Sequence, residues 1–174
     1  MKKVFGIFGL ILLMAAAFFL LTNAFLYIAN RPLDRPALAN VKVQETEQVK
    51  QFIAKTHESF NGYLNYGKAD HYTDGDWKYL KQWFNGQESE LKDLEKQVKN
   101  EKLKQDVRRS YEITKQGIET TNIQYVIYGH RIYHDLDIII NHNQKEQNIW
   151  GYTEFGNGAN VKVVEDELAK FKKS

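Results

Sequence analysis

From Val4 to Ile28 the chain reads VFGIFGLILLMAAAFFLLTNAFLYI, with Thr22 and Asn23 its only clearly polar residues. A helix rises about 1.5 Å per residue, so roughly 20 such residues cross a hydrocarbon core ~30 Å thick. The run is therefore long enough to span a bilayer. Lys2 and Lys3 precede it, whereas Arg31, Asp34 and Arg35 follow. That charge bias places the N-terminus in the cytoplasm and the C-terminus outside. A cleaved signal carries a shorter apolar core of about 7–15 residues and a small-residue cleavage site. Ala37-Leu38-Ala39 resembles such a site but lies well beyond the run. Residues 1–29 are expected to form an uncleaved single-pass anchor, N-in/C-out, with secretion after signal cleavage as the alternative.

Both prolines of the protein fall in residues 30–41, at Pro32 and Pro36. Proline fixes φ and disfavours helix in the residue before it, so this segment reads as a short extended tether. Lys2 and Lys3 account for the formal charge of +2, and the rest of the chain is neutral. A nucleic-acid binder needs an excess of basic charge, so that class is set aside. There is no cysteine, which excludes disulfides, thiolate metal sites and cysteine lipidation. Abundant Lys, Asn and Ile fit a bacterial chain.

Residues 42–174 are expected to form one extracytoplasmic, helical domain. Val49, Phe52, Ile53, Phe60, Tyr63 and Leu64 recur at helical spacing, with Gly67 as a stop. Thr73 or Asp74 caps a short helix carrying Trp77, Leu80, Trp83 and Phe84, which Asn85-Gly86 ends. A charged segment follows with Leu91, Leu94 and Val98 on one face and the pairs Glu88/Lys92 and Glu95/Lys99 on another. Asn100 interrupts the phase, and the stripe resumes at Leu103, Val107, Tyr111, Thr114 and Ile118. One helix from Lys102 to Asn141 would be about 60 Å long. A domain of this size is only about 35–40 Å across, so a break is expected at Thr120-Thr121-Asn122, where Thr121 caps a new helix.

Beyond that break two readings stand. NIQYVIY and DLDIIIN suit a helix, but their β-branched and aromatic residues also suit a hairpin turning at Gly129-His130. Ile149–Phe155 and Val161–Val164 read as short strands around the turn Gly156-Asn157-Gly158, before an amphipathic segment from Glu165 to Phe171. The expected fold class is mainly α, an anchored helical bundle with a minor C-terminal β element. An α+β arrangement, helices followed by a small antiparallel sheet, is the alternative.

Three patterns bear on chemistry. In GHRIYHDLD a helix places His130, His134 and Asp137 on one face, a ligand set for a divalent metal such as Zn²⁺ or Fe²⁺. Arg131 stands where zinc proteases carry their general-base Glu, and a hairpin would scatter the three residues. The bland reading is a polar packing face. Aromatic residues crowd the stretch from Phe52 to Phe84. Phe60, Trp77 and Trp83 suit a core, whereas Tyr66, Tyr72 and Tyr79 suit a surface groove that binds a ligand. Asp70 to Asp76 imitates a calcium loop, but Lys81 occupies the position that requires a bidentate Glu. The chain has no Gly-rich phosphate loop and no G-x-S-x-G. The resulting expectation is a non-enzymatic, envelope-facing interaction module with a protein or cell-wall partner and no cofactor. A metal-dependent, hydrolytic site on His130, His134 and Asp137 is the alternative.

Overall fold

A computed structural model of the chain describes residues 14–21, 44–64, 67–143 and 148–172. The chain divides into two units, Met1–Pro32 and Leu33–Ser174. In the first, residues 14–21 form helix α1, whose Phe18, Phe19, Leu20 and Leu21 are exposed. Among the described residues no helix is long and apolar enough to cross a membrane. Most of the Val4–Ile28 run and the tether lie outside the described residues.

The second unit is helical: α2 (Glu47–Leu64), a 3₁₀ turn (Lys68–His71), α3 (Asp74–Phe84), α4 (Gln87–Gln97), α5 (Glu101–Glu119), α6 (Ile123–Asn141) and α7 (Val161–Phe171). Polar residues set the boundaries. Thr73 accepts from the Asp76 amide while the Asp76 carboxylate accepts from that of Thr73, a reciprocal cap. The Asn100 side chain accepts from Lys102 and Leu103 and so starts α5. Glu45 accepts from the amides of Lys99 and Asn100, which ties the start of the domain to the α4–α5 junction. The break after Glu119 falls where expected, but Asn122 rather than Thr121 caps α6. Thr121 instead adopts a left-handed φ of 50°.

Helix α6 is the centre, flanked by α2 and α5, each antiparallel to it. From Arg131 to Ile140 every one of its residues is buried. A segment covered on all sides cannot keep one apolar stripe, which is why its sequence suits a buried strand equally well. The hairpin reading therefore fails. Around α6 gather Val49, Ile53 and Phe60 from α2, Leu80 from α3, Leu94 from α4, and Leu103, Val107 and Ile113 from α5.

The C-terminal β element does not form: among the described residues there is no strand. Val161 begins α7, because Val164 and Leu168, one turn apart, are the residues it buries. Residues 148–160 run as a loop in which the amides of Trp150, Tyr152, Glu154 and Phe155 are taken by buried carboxylates.

α5 and α6 meet at small residues. A Cβ on Gly129 would stand 3.2 Å from the Ser110 carbonyl oxygen and collide with the Thr114 hydroxyl. The Ser110 hydroxyl donates to the Gly129 carbonyl at 2.9 Å across this contact. Helix propensity alone favours Ala over Gly by ~1 kcal/mol. Here Gly129→Ala is expected to destabilise by about 1–3 kcal/mol, as overpacking does, and Thr114→Ala should relieve part of that loss. Urea unfolding of the single and double variants checks this, and a stabilised Gly129→Ala would contradict the close approach.

Candidate functional site

The buried part of α6 carries five ionisable residues, Arg131, Tyr133, His134, Asp135 and Asp137, with His130 partly buried beside them. Helical spacing sorts most of them onto two faces. His130, His134, Asp137 and Asn141 turn toward α2, and Arg131 and Asp135 toward the loop before α7.

On the α2 face the key partner is His57, which lies on the buried side of α2 and was not singled out by the sequence. Its Nδ1–H donates to Asp137 Oδ2 at 3.0 Å. Asn61 Nδ2 donates to His57 Nε2 at 3.3 Å, and His130 Nε2–H donates to Asn61 Oδ1 at 2.8 Å. Asp137 also accepts from Asn141 and Asn143, while Asn141 donates to the Lys50 carbonyl. Burial pushes the Asp137 carboxyl up, but the bonds from His57, Asn141 and Asn143 outweigh it and hold the group below its usual range. The three imidazoles touch: ring centroids lie 5.4 Å apart for His57–His130, 5.2 Å for His57–His134 and 6.1 Å for His130–His134. Burial, then His57, His134 and Arg131, pushes His130 down to about 3.

The helix does place His130, His134 and Asp137 on one face, yet the carboxylate of Asp137 is occupied by His57 and two Asn amides. Among the described residues no group of three His, Cys, Asp or Glu side chains is arranged to hold a metal ion.

On the loop face Asp135, fully buried, accepts from the Trp150 amide at 2.7 Å and the Tyr152 amide at 2.8 Å. Arg131 lies 4.2 Å over the Trp150 ring and donates to the Tyr152 hydroxyl at 3.1 Å. Asp106 on α5 does the same work one step on, accepting from the amides of Glu154 and Phe155 at 2.8 and 2.9 Å. Its carboxylate also binds Arg109, which reaches Glu165 on α7 at 3.0 Å. Burial outweighs these bonds and pushes Asp106 up to about 6. Four amides of the expected strand Ile149–Phe155 are thus capped by two carboxylates, which replaces a ladder partner. The Gly156-Asn157-Gly158 turn does form, with Asn157 at a φ of 51°.

A second candidate is a groove of about 450 Å³ between α4, α5 and α7. Leu91, Tyr111, Leu168 and Phe171 supply its apolar surface. Lys92, Arg108, Lys115 and Lys172 alternate around it with Glu88, Glu95 and Glu112. Two of the acids are already paired, Glu88 with Lys92 and Glu95 with Arg108, each at 2.8 Å. Glu95 therefore reaches across to α5 instead of pairing with Lys99. Of the expected ligand-binding tyrosines, Tyr72 and Tyr79 do not line this groove. Tyr66 lies outside the described residues. Tyr72 meets Trp77 edge-on with its hydroxyl buried, and Tyr79 is 64% exposed on α3. Tyr111 lines the groove, and it was legible only as part of a core stripe.

No family model matches the chain, and comparisons with curated proteins and with solved structures also find no match.

Asp135→Ala would leave two amides without their acceptor, each worth about 1–3 kcal/mol when buried. We expect a loss of roughly 2–5 kcal/mol in urea unfolding. Chymotrypsin should also begin to cut at Trp150, Tyr152 and Phe155. Unchanged cleavage of the folded variant would show that the carboxylate does not hold the loop.

Proposed function

We propose that this chain is a non-enzymatic, envelope-facing interaction module held at the membrane by a single N-terminal span, N-in/C-out. The anchor reading rests on the Val4–Ile28 run and the two lysines before it. The observation that carries the interaction reading is the groove between α4, α5 and α7. Its volume of about 450 Å³ falls within the range of binding clefts, about 300–1,000 Å³. Apolar side chains inside a charged rim are the usual composition of a protein-binding patch. The occupant proposed is a segment of a protein or cell-wall partner, with half-buried Tyr111 and Phe171 as the contact surface over the buried Leu91 and Leu168, and Lys115 and Lys172 at its edge.

Two measurements test this. The full chain should require detergent for extraction, and a C-terminal reporter active only outside the cytoplasm should work. Recovery of the protein in the medium, beginning at Asn40, would mean that the segment is a cleaved signal. For the groove, a photo-crosslinking residue at Gln116 in intact cells should give one discrete adduct. The same residue at exposed Lys78 on α3 should not, and Phe171→Ala should abolish the Gln116 adduct. Identical patterns from Gln116 and Lys78 would exclude the groove as the docking surface.

A further inference from the structure

We propose that the seam between α2 and α6, where His57, His130 and His134 meet, is a proton-operated latch, closed while His130 is a neutral imidazole and opened when acid places a charge on it. The argument starts from geometry. His57 projects from α2 into the gap between His130 and His134, which lie one turn apart on α6, and all three rings touch. Further groups stand around them among the described residues. Asp137 faces His57 at 3.0 Å, and Asp135 lies 3.5 Å from His134 Nδ1. Arg131 follows His130 directly in α6, and the Trp150 ring covers His134 from the loop. On the α2 side the Lys50 ammonium is turned outward to Glu47 at 2.7 Å. Phe60 adds an uncharged ring against His130.

The carboxylates are thus distributed unequally. A charged His57 meets Asp137, and a charged His134 meets Asp135. A charged His130 meets Asn61 and, among the described residues, no carboxylate at its ring. Its neighbours are Arg131 and two other imidazoles. Protonation there places a positive charge beside Arg131 and against the His57 ring across the seam, at a partly buried position. The hydrogen-bond chain adds a second constraint. With the Asn61 amide as placed, His57 Nε2 accepts and His130 Nε2 donates. A proton added to His57 Nε2 requires the amide to turn over, which removes the acceptor from His130. One proton therefore disturbs both rings.

The direction follows from linkage. His130 lies near 3 in the closed state against an ordinary 6.5. Between these values the open state binds more protons. The closed seam is fully favoured above about 6.5 and loses that favour as pH falls toward 3. Asp137 stays ionised over most of this window, because its own carboxyl lies below the usual range. Opening would separate α2 from α6 while α5, packed on the other side through Gly129, stays in place.

The chain has no cysteine, so spin labels can be placed at will. Labels at Glu58→Cys on α2 and Glu119→Cys on α5 report the seam. A second pair, Glu101→Cys and His142→Cys, reports the α5–α6 contact. Distance distributions of the full chain in detergent, from about pH 7.5 to pH 4.5, should broaden and lengthen for the first pair only. His130→Gln keeps a side-chain donor for Asn61 but cannot be charged. It should lower the midpoint by about one pH unit or more. An unchanged first pair at the acid end overturns the latch, as does broadening of both pairs together. If His130→Gln does not fold at neutral pH, the two pairs on the wild-type sequence decide the question alone.

Discussion

Ionisable side chains lie along both buried faces of α6, and a buried carboxylate must be given donors or it will not stay buried. Asp135 takes its donors from the backbone of the loop after α6, and Asp137 takes its donors from α2 and from the end of its own helix. Asp106 on α5 repeats the arrangement with the next two loop amides. The domain is therefore not an apolar bundle with polar decoration. Its central helix is positioned by side chains that a partner element must satisfy, and each satisfied group fixes one neighbour.

The dependence runs outward from there. Once Trp150, Tyr152, Glu154 and Phe155 are held, the backbone doubles back. The Asn160 amide then donates to the Gly151 carbonyl at 2.8 Å, and its side chain donates to that of Trp150 at 2.8 Å. Asn160 is the residue before α7, so these bonds aim that helix at α5. Arg109 adds a second tie through Glu165, and Tyr125 a third through Glu167 at 2.9 Å. α7 in turn supplies Leu168 and Phe171 to the groove. A surface proposed for binding is thus set in place by carboxylates buried behind it. The close α5–α6 approach at Ser110 and Gly129 is what lets Asp106 and Asp135 reach one loop together.

Much of this was legible in the sequence. The stripes of α2, α3 and α5 face one neighbouring mass, so their apolar spacing is clean; Thr73 marks a real start, and the break at Thr120-Thr121-Asn122 is real although Asn122 rather than Thr121 caps α6. The spacing of His130, His134 and Asp137 correctly put them on one face once α6 is a helix. What the sequence hid has two causes. Burial on all sides erased the period of α6, leaving a hairpin open beside the helix. The residues that complete the polar faces are distant in the chain: His57 sits 80 positions from Asp137, and Asp106 about 50 from the amides it binds. The same long-range bonds explain the missing β element. GYTEFG has strand composition, but a side chain rather than a neighbouring strand takes its amides. The groove was invisible because α7 read partly as a strand.

The account rests on carboxylates doing for the loop what a ladder does for a strand. Native-state amide hydrogen exchange on the unmodified chain measures this most directly. The amides of Trp150, Tyr152, Glu154 and Phe155 should be protected to a degree comparable with those in the middle of α6, while those of exposed first-turn positions such as Gly75 exchange faster. Exchange of the four at the rate of an unstructured segment, with α5 and α6 still protected, would contradict it.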